Sequence, residues 1–285
     1  MSLLDKPLNA ADAYVSFLAH QDMPVLRQTA KQLASLRESA DSVNAKRLAA
    51  VVLGDPLMTM KLIAHLQAVR HSSQNHDITT IDRAIMMLGV SPFFDAFSDA
   101  PTLEGMLGSH PAALIGALQV IARARKAAHL ARDWAIARHD LDVDEITVAA
   151  LLGEAPELMC WTFAPALMTR VKRLQAADRN LRSSVAFRAV FGVGKVDLQI
   201  GLINAWNMPV LLMTLLDASH AENPRVRNVR LANNFARHLA NGWDDPALPD
   251  DIDEIERLLH IGREQLLLRL GTPAEHAHRF NPADE

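Results

Sequence analysis

Apolar residues recur at helical spacing in most windows of this chain. Leu26, Ala30, Leu33 and Leu36 mark one stripe, Leu48, Val51 and Val52 a second, and Leu57, Met60, Leu62, Ile63 and Leu66 a third. Residues three, four and seven apart share one face of an α-helix, so each stripe predicts a helix with one buried side. Boundaries are marked as well. Pro24, Pro56, Pro92 and Pro209 each stand near a predicted helix start, where the missing N–H is harmless. Thr80, ahead of Ile81-Asp82-Arg83-Ala84-Ile85, reads as an N-cap, and Gly89 closes the same helix. No window reads convincingly as a strand, and no short-period repeat is present. Helix formers dominate and aromatics make up only 5% of the chain, so the expected fold is all-α. About a dozen helices of ordinary length are predicted.

Two halves are expected. Short helices run up to about Ser98, and the Gly- and Pro-punctuated stretch from Asp99 to Pro111 connects them to the rest. The predicted N-terminal helical subdomain is therefore 1–110. A long helix from about Ala112 to Arg138 opens the second subdomain, 111–275, and a polar tail, 276–285, is expected to fray.

Composition narrows the functional classes. The chain has 285 residues, enough for a real core, and 49% of them are apolar. Its most apolar stretch, Leu151 to Met168, is interrupted by Glu154, Pro156 and Glu157, so a soluble protein is expected. The segment Met1-Ser-Leu-Leu-Asp-Lys-Pro lacks a basic region followed by an apolar core, which argues against a signal peptide. The single Cys160 cannot form an internal disulfide, fits a reducing cytoplasm, and reads as a buried small hydrophobe. A net charge of -4 gives no reason to expect nucleic acid or an anionic membrane as partner.

Several segments together carry a family resemblance. Met23-Pro24 through Leu33, then Asp55-Pro56-Leu57-Met58-Thr59, then Ile78-Thr79-Thr80-Ile81 with Ala84-Ile85 and Leu88-Gly89, resemble the HDOD family, the HD-related output domains of bacterial signalling. Phe191-Gly192, Trp206-Asn207-Met208-Pro209 and Ser219-His220 agree with that family's later stretch. The likeness covers about Asp22 to Asn241 and implies a multi-helix HD-like bundle with an N-terminal helical subdomain.

The resemblance also implies where a metal site would fall. Hydrolases of the HD superfamily bind metal through a histidine, a His-Asp pair and a later aspartate. The first histidine falls on Arg123 of the long helix. The pair falls on Gly153-Glu154, at the end of Ala149-Ala150-Leu151-Leu152, and the final aspartate on Asn233. A further histidine falls on Lys195, and of two paired histidines the first is Ser219 while His220 remains. Glycine offers no ligand, and two positions have become cations. The resemblance thus implies a degenerate site with no cofactor. A cation at Arg123 or Lys195 paired with Glu154 would replace the metal charge, and an Arg123–Glu154 contact would act as a metal-free staple.

Other chemical signals are weaker. His139-Asp140 is a literal His-Asp pair, but it lies where the long helix gives way to Leu141-Asp142-Val143-Asp144-Glu145, as a solvated helix end would. Asp250-Asp251-Ile252-Asp253-Glu254 lacks the ligand alternation and glycine of an EF-hand and reads as acids at a helix start. His71 and His76 flank a predicted loop. Gly192-Val-Gly194-Lys195 lacks both the leading glycine and the Ser or Thr of a phosphate loop. Arg170, Lys172, Arg173, Arg179, Arg182 and Arg188, interleaved with Leu174 and Leu181, read as a solvated face, with an anionic partner as the alternative. Trp134, Trp161, Trp206 and Trp243 read as packing residues.

The expected function is a non-catalytic bacterial signal-transduction module in the cytoplasm. It would bind a signalling protein or a small anionic ligand. One alternative is a metal-dependent phosphohydrolase of nucleotides or cyclic dinucleotides using Glu154, Asn233 and His220, with His129. Another is an anion sensor in which Arg123, Lys195 and His220 line the former metal pocket.

Overall fold

The computed structural model describes residues 3–38, 43–69, 80–178 and 181–280. The predicted loop at His71–His76, the motif residues Ile78 and Thr79, Arg179, and residues 281–285 of the polar tail lie outside the described residues. All regular structure among the described residues is helical, apart from an isolated parallel bridge between Val25 and Thr102. The helices are more numerous and shorter than the periodicity predicts. They divide into two compact units, each drawn from two separate stretches of chain.

The first unit comprises residues up to Ala122 together with Glu154–Met213. It opens with α1 (Ala11–Ala19), α2 (Arg27–Glu38), α3 (Ala45–Leu53), α4 (Pro56–Val69), α5 (Ile81–Leu88), α6 (Val90–Phe97) and α7 (Leu103–Met106). The long α8 (Pro111–Ala137) gives its first half to this unit. Its second stretch holds α10 (Ala155–Phe163), α11 (Pro165–Ala177), α12 (Ser183–Phe191), α13 (Lys195–Ala205) and the start of α14 (Val210–Leu216). Between them runs α9 (Val143–Leu152), which belongs to the second unit.

Local chemistry explains several of these boundaries. Asp55, wholly buried, accepts four hydrogen bonds. They come from the Leu26 N–H at 2.7 Å, the Thr29 hydroxyl at 2.8 Å, and the N–H groups of Leu57 at 3.0 Å and Met58 at 3.3 Å. One carboxylate therefore serves the starts of both α2 and α4, satisfying donors that a helix leaves orphaned. Burial pushes its carboxyl above the ordinary range, and the four hydrogen bonds oppose that push. Gly89 closes α5 at φ +87°, a conformation that L side chains rarely adopt, and α6 restarts at the next residue. Thr80 has the extended backbone of a cap, but its hydroxyl serves the Asp82 carboxyl instead of a backbone N–H.

The core of this unit is aliphatic and aromatic. Phe93 and Phe97 pack with ring centroids 5.0 Å apart, and Phe187 stacks on Phe191 at 4.2 Å. Helix α1 lies on α13, where the Val15 side chain occupies the space beside Gly201 that a β-carbon would need. Tyr14 accepts from the Leu8 N–H and donates to the Phe191 carbonyl, so its buried hydroxyl is satisfied. Trp161 of α10 lies flat on Gly116 of α8, where a β-carbon would come within 2.5 Å of the indole.

The second unit comprises Arg123–Gly153 and Thr214–Glu285. Besides the second half of α8 and α9, it holds a 3-10 turn at Ala218–His220, α15 (Pro224–Leu239), α16 (Leu248–Leu259), α17 (Arg263–Leu270) and α18 (Ala274–Ala277). Helix α15 packs on both α9 and α16. Asn228, fully buried on α15, donates to the Ala131 carbonyl of α8 at 3.0 Å. Trp134 is wholly buried. Burial of a large side chain of this kind contributes about 1.5–3 kcal/mol. Arginines link neighbouring elements: Arg269 grips Asp133 through Nε and Nη2, Arg138 donates to the Leu258 carbonyl at 2.7 Å, and Arg263 holds Glu256 and Asp253.

Candidate functional site

Two of the positions aligned with metal ligands meet inside the second unit. Gly153 ends α9 and faces Asn233 of α15. A β-carbon on Gly153 would lie 2.4 Å from Asn233 Nδ2 and 2.6 Å from both Cγ and Oδ1, well inside contact distance. The backbone of Gly153, at φ -60° and ψ -25°, is ordinary right-handed helix, so the glycine answers a steric demand and not a conformational one. Asn233 Nδ2 donates to the Val229 carbonyl at 2.9 Å. Its Oδ1 is buried without a hydrogen-bond partner. The amide thus fills the space in which a ligand side chain at position 153 would begin.

The remaining candidates lie elsewhere. Ser219 and His220 sit exposed on the 3-10 turn of the second unit. Asp217 caps that turn, accepting from the Ser219 N–H at 2.9 Å and standing 3.7 Å from His220 Nε2. Those hydrogen bonds from Ser219, with a smaller pull from His220, hold the Asp217 carboxyl below its ordinary value. His129 is exposed on α8. Arg123, half-buried, is the first residue of the second unit along α8.

In the first unit, Glu154 is buried at the start of α10. Lys195, at the start of α13, donates to the buried carboxylate of Glu157 at 3.0 Å. Sequence reasoning did not single out Glu157 as a site residue. The signal was present: Glu154 and Glu157 are three apart in a helix otherwise buried throughout, and buried carboxylates require cations or several hydrogen-bond donors. Cys160, one turn further, is wholly buried. Its thiol is pushed up by burial and then by Glu157, while Lys195 pulls the other way.

The rival motifs are structural. His139 adopts φ +58° at the end of α8, and Asp140 is gripped by Arg138 at 3.3 Å. The N–H of Gly194 donates to Asp197 at 3.0 Å and so closes α13 instead of cradling a phosphate. Asp250 and Asp251 stand in the first turn of α16. Asp251 pairs with His238 at 2.5 Å, and Glu254 with Arg230 at 2.7 Å. Among the described residues no group of three or more His, Cys, Asp or Glu side chains is placed to hold a metal. Glycine at 153 and a side-chain amide folded onto it do not fit a divalent cation, which needs anionic or imidazole donors there.

Taken together, these elements define an all-helical protein in which Asn233 packs against Gly153. The HDOD domain model matches residues 23–222, and the chain belongs to the HDOD family, a family of HD-related domains. Two solved structures share the fold. A virulence factor from Campylobacter jejuni subsp. jejuni superposes with a TM-score of 0.69 at 19% identity, covering 95% of this chain and 99% of that one. The MmoQ response regulator from Methylococcus capsulatus str. Bath gives a TM-score of 0.65 at 18% identity, covering 90% of this chain and 100% of that one. No curated protein is significantly similar to the chain. No helix among the described residues is long and apolar enough to cross a membrane.

Proposed function

We propose that this chain is a non-catalytic regulatory module of bacterial signalling that binds a protein partner or a small signal. The observation that carries the reading is the Asn233 amide lying on Gly153. Two aligned ligand positions now pack against each other, so the scaffold is kept while the room for metal chemistry is filled. One structural neighbour is named a response regulator, in keeping with this role. The lone Cys160, wholly buried, suits a reducing cytoplasm.

A phosphohydrolase would need Asn233, His220 and His129 to converge with Glu154. The side chains of His220 and His129 are instead exposed, and the carboxamide of Asn233 is spent on packing. The test is the metal content of protein purified without chelator or a metal-binding tag, together with hydrolysis of cyclic dinucleotides. Substoichiometric metal and no turnover are expected. Near-stoichiometric iron, manganese or zinc, as a one- or two-metal site would hold, would overturn the reading.

A further inference from the structure

Several arginines of this protein are engaged. Arg132, Arg138, Arg225, Arg230, Arg263, Arg269 and Arg279 all hold carboxylates. The hairpin of α11 and α12 gathers cations that are not so held. Arg170, Lys172, Arg173, Arg182 and Arg188 are exposed, and none of them belongs to an ion pair among the described residues. Residues 165–191 carry six Lys or Arg against Asp178 alone, a formal +5; the chain total of -4 therefore leaves -9 on everything else. A concentration of positive charge on a molecule whose remainder is negative in sum attracts anions.

The cations are patterned. From the residue before α12 along that helix, Arg182, Val185 and Arg188 recur every third residue, and on α11 Arg170 is followed three and four residues later by Arg173 and Leu174. The opposite faces are buried, through Leu167, Met168 and Val171 on α11 and Ala186, Phe187, Val190 and Phe191 on α12. The two helices pack on each other. Each therefore offers solvent a stripe of guanidinium groups with an aliphatic residue beside them, Leu174 at 40% exposure and Val185 at 52%. Guanidinium forks match carboxylates bidentately.

We propose that the α11–α12 face is a docking surface for an acidic amphipathic helix of a partner protein. Carboxylates of the partner would meet Arg170, Arg173, Arg182 and Arg188, and an apolar side chain would cover Leu174 and Val185. Charge complementarity selects an acidic partner, and the exposed aliphatics select a peptide over a phosphate backbone. The aromatics of α12, Phe187 and Phe191, are buried on each other and leave nothing for bases to stack on. Two small aliphatics without an aromatic residue are too little to seat in a bilayer interface. This surface gives the regulatory reading a partner of stated chemistry. Metal content tests that reading and peptide binding tests this one, so the two fail separately.

The probe is a fluorescent synthetic helix with glutamates on either side of a leucine stripe, titrated by anisotropy at about 100 mM salt. Duplex DNA of equal charge and phosphatidylglycerol vesicles are the comparators. The reversal Arg170→Glu/Arg173→Glu/Arg182→Glu is expected to weaken peptide binding at least about tenfold. Lys31→Glu/Lys46→Glu/Arg47→Glu, the same charge change at exposed sites of the same unit, should leave it within about twofold. Leu174→Ser/Val185→Ser, at constant charge, should weaken the peptide severalfold. Peptide binding that is absent, or equally sensitive to the control reversal, overturns the proposal. So does tighter binding of DNA or vesicles than of peptide.

Discussion

Replacing Gly153 by alanine adds one methyl group at the point where the structure has no room for it. Its carbon would sit 2.4 Å from Asn233 Nδ2 and 2.6 Å from Cγ and Oδ1. Forcing a methyl into a packed contact costs about 1–3 kcal/mol. Alanine also restricts the unfolded chain and favours the helix, which returns up to about 1 kcal/mol. Gly153→Ala is therefore expected to destabilise by about 1–2 kcal/mol. Asn233→Ala loses the bond to Val229, about 1 kcal/mol, and also removes the unpartnered Oδ1, whose burial costs a similar amount. That single change should be nearly neutral. In the double variant the added methyl enters the space the amide has left, so the two changes should couple by about 1 kcal/mol or more in the favourable direction. Urea unfolding followed by circular dichroism reads all four proteins, with equal slopes required for the comparison. A Gly153→Ala protein as stable as the parent, or strict additivity in the double variant, would refute the packing argument and reopen space for a ligand side chain.

Other perturbations reach different parts of the fold. Asp55→Ala strands the N–H groups of Leu26, Leu57 and Met58 and the Thr29 hydroxyl. A loss of about 3–5 kcal/mol is expected in the same urea assay, with Asp55→Asn milder because one carbonyl acceptor survives. Lys195→Met leaves the buried Glu157 carboxylate without this cation and should cost about 2–4 kcal/mol; Lys195→Met/Glu157→Leu should recover most of it, and failure to recover would deny the pair its role. The Asp82 carboxyl is held below its ordinary value of 3.8, chiefly by the Thr80 hydroxyl. A depressed folded value adds stability above the unfolded value, and that stability is lost as pH falls through the folded one. The deficit of Thr80→Val should thus be full at neutral pH and fade on the acid side of 3.8; a deficit unchanged down to the acid limit would assign Thr80 a different role.

Local signals carried the helices further than the site. The long helix expected over Ala112–Arg138 is α8, Pro111–Ala137, beginning at the last residue of the stretch read as a connection. Gly89 ended α5 as expected, since only a residue without a β-carbon sits easily at φ +87°. The same glycine let α6 begin at once, which is why the helices are shorter and more numerous than periodicity suggested. Thr80 shows the limit: the residue type and the backbone fit a cap, but the hydroxyl goes to a side chain. Pairings across the sequence left no local trace. Lys195 finds Glu157 from 38 positions away, and the Tyr14 hydroxyl finds the Phe191 carbonyl from 177. Gly153 and Asn233 are singled out only by the family resemblance. That the Asn233 amide lies against Gly153 depends on how α15 packs on α9, and no stripe of apolar residues encodes that distance.

The shared carboxylate of Asp55 has a consequence for how the first unit opens. Its Oδ2 holds Leu26 and Thr29 from across the sequence while its Oδ1 holds Leu57 and Met58 locally, so the start of α2 loses its acceptor whenever the start of α4 opens, whereas α4 keeps its own when α2 opens. The Leu26 amide should therefore exchange with solvent deuterium at least as fast as those of Leu57 and Met58, and slower exchange at Leu26 would deny the dependence. In kinetic terms the side chain works as a one-sided latch: α2 is fastened to a residue that α4 carries, at the aspartate-proline pair of 55 and 56.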